Sequence, residues 1–79
     1  MKYVEAVAKR INKLLIEKNM TQYRLIQTTC LNEKTIYDIM KGRSKDIKGS
    51  TILLIALAFD MELADFYNDP IFNKTDLEI

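Results

Sequence analysis

A chain of 79 residues supports one hydrophobic core and no more, because a domain of this size buries only about 60% of the surface its unfolded form exposes. With 48% hydrophobic and 29% charged residues, the composition is that of a soluble globular domain and excludes intrinsic disorder. No apolar run nears the roughly 20 residues a bilayer demands, and Glu5, Lys9 and Arg10 stand where a signal peptide is apolar, so a cytoplasmic location is expected. A lone cysteine, Cys30, and no histidine leave no disulfide and no metal-ligand set.

The same inventory argues against an enzyme. Without histidine, paired carboxylates at cleft-forming spacing or a glycine-rich phosphate loop, nothing here supports acid-base or nucleophilic work, so no catalytic residue, cofactor or small-molecule ligand is expected. The net charge of +1 hides a polarity along the chain. Residues 1–48 hold eleven Lys/Arg against five Asp/Glu, and residues 49–79 hold one against six. A domain with one cationic end is a plausible polyanion binder whose other end faces elsewhere.

In chain order, apolar residues at 4, 7, 8, 11, 14 and 15 form the stripe of an amphipathic helix over Val4–Ile16, with Lys9, Arg10, Lys13 and Glu17 on its other face. Asn19 suits the left-handed residue that ends it, and Thr21 is a good N-cap for helix 2, which starts at Gln22, runs to about Thr28 and turns Leu25 and Ile26 inward. Asn32 caps helix 3, about Glu33 to Lys41, with Glu33 near the positive dipole end, Ile36, Ile39 and Met40 inward, and Gly42 as its stop. Arg43 to Gly49 reads as a basic loop in which Ile47 dips back onto the core. Ser50 or Thr51 is the expected cap of the next helix. The run Ile52 to Phe59 is apolar on every side, which predicts a central helix nearly surrounded by protein; a buried strand is the rival, but no other segment offers it a partner. Asp60 and Met61 break into a short helix over about Glu62 to Tyr67, which Pro70 prevents from continuing. Residues 1–68 are thus one domain, and 69–79 a tail with Ile71, Phe72 and Leu77 as anchors.

The fragments Met20-Thr21-Gln22-x-x-Leu25, Leu31-Asn32-x-x-Thr35-Ile36-x-x-Ile39 and Gly42 at this spacing resemble the helix-turn-helix of the lambda repressor and Cro-like (Xre) family. The likeness runs from about Ile11 to Phe66, with Thr51-Ile52 through Phe59 and Met61-x-Leu63-x-x-Phe66 resembling the family's fourth and fifth helices. It implies an all-α, five-helix lambda-repressor-like fold, with the helix-turn-helix in helices 2 and 3. The implied function is sequence-specific binding of double-stranded DNA by a small transcriptional regulator, a repressor, with helix 3 in the major groove. In such a domain Glu33, Lys34 and Asp38 occupy base-reading positions with Tyr37 alongside, and Asn32 and Thr35 join the DNA-facing set. Gln22 stands at the phosphate contact that braces the recognition helix. Lys41, Arg43, Lys45 and Lys48 would grip the DNA backbone.

Two departures from the family carry information. Leu15 and Met40 occupy positions where many members hold an arginine–glutamate pair; an apolar exchange at both avoids one unpaired buried charge, and the two side chains are expected to touch. Cys30 stands where glycine is usual, so either it takes positive φ at a cost of roughly 1 to 2 kcal/mol or the turn is rebuilt and helix 3 re-aimed. A homodimer is expected, because one short helix reads too few base pairs; its surface should lie in the acidic C-terminal half, around helix 5 with Phe66, Tyr67, Ile71 and Phe72. The alternative is a protein-interaction module, an antitoxin or antirepressor, on the same fold. Carboxylates at Glu33 and Asp38 favour that alternative.

Overall fold

Among the described residues, three outside glycine carry positive φ, and two of them end helices by the same device. Asn19 (φ 52°), Asp60 (φ 57°) and Gly42 (φ 72°) are left-handed stops, and the amide after each reaches back five residues: Met20 N–H to the Leu15 carbonyl, Arg43 to Asp38, and Met61 to Ala56. Met20 and Met61 then pack on the core, the apolar contact that accompanies this kind of helix end.

The computed structural model describes residues 1–75, 77 and 78. These form α1 (Tyr3–Glu17), α2 (Gln22–Thr29), α3 (Glu33–Met40), α4 (Gly49–Ala58) and α5 (Leu63–Tyr67), followed by a 3-10 turn at Pro70–Phe72. The fold is all-α, with five helices in the expected order. Of the predicted tail, Asp76 and Ile79 lie outside the described residues. α1 packs on α3 and on the 3-10 turn, and α4 packs on α2 and α5. The core between them is built from Val7, Ile11, Leu14 and Leu15 of α1, Leu25 of α2, Ile36 and Ile39 of α3, Ile52, Ile55 and Ala56 of α4, with Phe59 and Phe66. Ile47 is buried as expected and pins the basic loop to that core.

Three expectations are corrected. Neither Ser50 nor Thr51 caps α4: the helix starts at Gly49 after Lys48, which makes no side-chain cap. The Lys48 carbonyl accepts from both Thr51 and Ile52, so the loop tethered at Ile47 sets the helix start ahead of the capping residues. α4 is not nearly surrounded either. Ile52, Ile55 and Ala56 are fully buried, but Leu53, Leu54 and Leu57 are 41%, 39% and 59% exposed, because a single-core chain has no further layer to cover the outer face.

Arg10, placed by its sequence on the solvent face of α1, is the third. It is buried, donating from Nε to the Phe66 carbonyl at 2.8 Å, from one terminal nitrogen to the Asp65 carbonyl at 3.0 Å and from the other to Asp69 at 3.2 Å. Its guanidinium lies 6.0 Å from the Phe66 ring centre, and Lys13 joins Asp69 at 2.9 Å. Carbonyls freed at the end of α5 thus find donors on α1, and the segment after α5 is held against the bundle. Tyr3 and Tyr67 add a hydroxyl pair at 2.7 Å; burial, and then the bond to Tyr67, push the Tyr3 phenol up.

The Ile71 amide, then Lys13 and Arg10, hold the Asp69 carboxyl below its ordinary value. A depressed carboxyl stabilises the fold above its unfolded pKa, about 4, and that contribution is lost as pH falls through the lower folded value. Asp69→Asn is expected to cost about 1–3 kcal/mol at pH 7 and to flatten the loss of stability below about pH 4, checked by thermal melts from neutral to acid pH.

Candidate nucleic-acid interface

α2 and α3 are joined by a turn whose bonds come from its own side chains. Thr21 caps α2, accepting from the Arg24 amide at 3.1 Å. Thr29, buried at the other end, donates to the Ile26 carbonyl at 3.0 Å and accepts from the Leu31 amide at 3.2 Å. Asn32 caps α3 by accepting from the Lys34 amide at 2.9 Å. Cys30 takes the left-handed conformation, φ 58° and ψ 17°, so the turn keeps the shape that glycine would give it. The first of the two outcomes open to Cys30 is the one realised, and α3 is not re-aimed by a rebuilt turn.

Ile36 and Ile39 fix α3 to the core, and Leu31 packs at its entrance. Its outward edge is polar and paired within itself. The Lys34 ammonium meets Asp38 at 2.8 Å, one turn on, with Lys34 largely in solvent. The Glu33 carboxylate, as acceptor and as negative charge beside it, raises the Tyr37 phenol's pKa. Asn32 is exposed, but its oxygen is already used in the cap, and Thr35 is half-buried, so these two present less to a ligand than the four paired side chains do.

Gln22, at the start of α2, lines a shallow cleft with Ala8, Lys9 and Asn12 of α1 and with Met40 and Lys41. Lys41 therefore sits beside Gln22 at this cleft. Arg43 and Lys45 do not. They line a separate groove with Lys2, Tyr3, Glu5, Asp46 and Glu78, where acids dilute their charge. Lys48 is exposed at the start of α4. Among the described residues, no ion pair engages Lys9, Lys41, Arg43, Lys45 or Lys48.

Lys9 and Asn12, which the sequence did not single out, line this cleft beside Gln22. The signal that points to them is their i, i+3 spacing on the polar side of α1, which has meaning only once α1 is known to flank the start of α2. Met40 is half-buried at the same cleft and packs on the core to which Leu15 contributes.

A family model for the Cro/C1-type HTH DNA-binding domain matches residues 10–70, more than three-quarters of the chain. The chain belongs to that family. A Cro/C1-type domain is a DNA-binding regulator at the family level, and the two helices joined at Cys30 are its helix-turn-helix. Neither a curated protein nor a solved structure matches the chain. Among the described residues, no helix of this HTH domain is long and apolar enough to cross a membrane.

Relief of the strained turn is measurable. Left-handed backbone costs a side-chain-bearing residue roughly 1–2 kcal/mol, part of which glycine returns through its freer unfolded state. Cys30 is exposed and its thiol makes only a long contact, 3.8 Å, to the Gln27 carbonyl. Cys30→Gly is therefore expected to stabilise the domain by about 0.5–1 kcal/mol, read as a melting temperature higher by roughly 2–8 °C.

Proposed function

We propose that α3 enters the major groove of double-stranded DNA and that the protein is a repressor acting by occupancy of an operator, without chemistry and without a cofactor, in the cytoplasm. One observation carries this reading: α3 is held to the core by one edge, while its other edge is polar and flanked by the cleft of Lys9, Asn12, Gln22 and Lys41. A groove about 12 Å wide admits one helix, with its N-terminal side chains at the base edges. The backbone amides at the start of α2 and the Gln22 side chain then face one phosphate. Lys9, Asn12 and Lys41 surround it, while Lys48, Arg43 and Lys45 grip neighbouring backbone.

The pairing along α3 bears on what is read. With one ammonium hydrogen on Asp38, Lys34 keeps two donors, and the carboxylate keeps acceptor capacity beside them. A G·C pair shows two acceptors, guanine N7 and O6, next to the cytosine N4 donor. Lys34 and Asp38 together match that pattern, and the carboxylate's repulsion of phosphate is offset by the lysine it holds. Glu33 and Tyr37 read alongside, and Asn32 and Thr35 border the same surface. Because one such helix covers few base pairs, the working form is a homodimer on a two-fold site, joined through the C-terminal half.

The carboxylates of Glu33 and Asp38 on the outer edge of α3 also favour a second reading, an antitoxin or antirepressor whose partner is a protein. Selection of bound duplexes from a random pool, followed by titration at several salt concentrations, separates the two. An operator binder is expected to yield sites with G·C pairs opposite α3 and affinity that falls steeply with salt, by about 0.9 in log–log slope per phosphate neutralised. Lys34→Ala is expected to cost about 1–3 kcal/mol and to relax preference at one base pair, and Lys41→Ala to weaken all sites alike and lower the salt slope by about one. No duplex binding at low salt sinks the operator reading and leaves the protein-partner one.

A further inference from the structure

A groove of about 970 Å³ runs between the start of α1 and the loop that follows α3, and residues 77 and 78 lie along it. Backbone pairing brings them there. The Leu77 amide donates to the Asn73 carbonyl at 3.2 Å and the Glu78 amide to the Met1 carbonyl at 2.9 Å, so that Glu78 forms a parallel bridge with Lys2. Leu77 is half-buried in the groove, which Tyr3 and Val4 also line, and takes no part in the core. The Glu78 carboxylate meets the Met1 amine at 3.3 Å.

From this we infer that the C-terminal segment is a strap that restrains the protein's grip on polyanions by closing over the groove that carries Arg43 and Lys45. The inference rests on the reading of those two residues as phosphate contacts. Charge is what carries it. Lys2, Arg43 and Lys45 line the groove against Glu5, Asp46 and Glu78, three cations against three acids. With the strap closed, a phosphate approaching Arg43 or Lys45 meets no net positive charge. Release takes Glu78 away, while Glu5 in α1 and Asp46 in the loop stay, and the cations lead by one. Among the described residues, neither Arg43 nor Lys45 is engaged in an ion pair. Their charge is therefore diluted by neighbouring acids and not consumed by one of them, and it returns when the strap leaves.

The strap is held lightly enough to let go. One backbone bond ties residue 78 to the N-terminal stretch, and its carboxylate, in a side chain 67% exposed, belongs to an ion pair of the kind that contributes little in water. Segments with few buried apolar contacts open locally while the rest of the fold stays intact. Affinity for a ligand that needs the open form is scaled by the fraction of molecules that are open. A strap open in about a tenth to a half of the molecules weakens binding about 2- to 10-fold.

Binding of the full chain to heparin, a polyanion without bases, tests this, alongside binding to a mixed-sequence duplex. Leu77→Ser releases the strap without altering any charge. It is expected to tighten binding of both about 2- to 10-fold at low salt and to steepen the duplex's salt dependence by about 0.9 in log–log slope per phosphate newly met. Its melt is expected to be unchanged, since Leu77 lies outside the core. Arg43→Ala in the Leu77→Ser background is expected to remove most of the gain, because the two sites are coupled. Glu78→Gln is expected to tighten heparin binding more than Glu62→Gln, which removes the same charge past the end of α4, outside the groove. That comparison decides the matter if Leu77→Ser melts early. A folded Leu77→Ser chain with unchanged heparin affinity overturns the inference, as does a gain that survives Arg43→Ala or equal gains from the two glutamine variants. Absence of heparin binding in every variant has the same effect. Heparin binding that rises as expected in a chain that binds no duplex upholds the strap and tells against the DNA reading.

Discussion

Neither α2 nor α3, at eight residues each, is long enough to be helical by itself, since isolated helices below roughly 12–15 residues are marginal in water. What makes them a rigid pair is the burial of Leu25, Ile36 and Ile39 in the core supplied by α1 and α4. Everything exposed on the outer edge of α3 inherits its position from those three side chains and from the turn at Cys30. The Thr21 and Asn32 caps add direction, each satisfying an amide that would otherwise be free at a helix start. The outer edge of α3 is thus held in place by contacts in which that edge takes no part.

The Arg10 cluster does for the C-terminal end what the core does for the reading pair. A buried guanidinium with carbonyl and carboxylate acceptors from three residues ties α5 and the following turn to α1. Removing the carboxylate leaves a buried charge with fewer partners, which is costly. The acidic half of the chain is consequently not a loose counterweight to the basic half: Asp69 is turned inward to Arg10 and Lys13, whereas Asp60 and Glu62 remain at the surface. Among the described residues, that division leaves Lys9 and Lys41 without an ion pair around Gln22, and Asp60 and Glu62 without one past the end of α4.

One core has too few elements to cover α4 on every side, so Leu53, Leu54 and Leu57 stay partly in solvent while Ile52, Ile55 and Ala56 of the same helix are fully buried.

The sequence by itself determined the helices and their ends. The apolar stripe of α1, the caps at Thr21 and Asn32, and the stops at Asn19 and Gly42 are local properties, settled by neighbouring residues and by backbone preference, and the spacing from Met20 to Gly42 pointed to the family for the same reason. Which polar residues are spent inside and which apolar ones are left outside was decided only in three dimensions. Arg10 reads as a surface residue until Phe66 and Asp69 arrive from more than fifty positions away, α4 reads as surrounded until the rest of the chain proves too small to surround it, and Lys9 and Asn12 acquire a role only when α1 is laid beside Gln22. Burial depends on what lies opposite a residue, and periodicity along one helix does not contain that information.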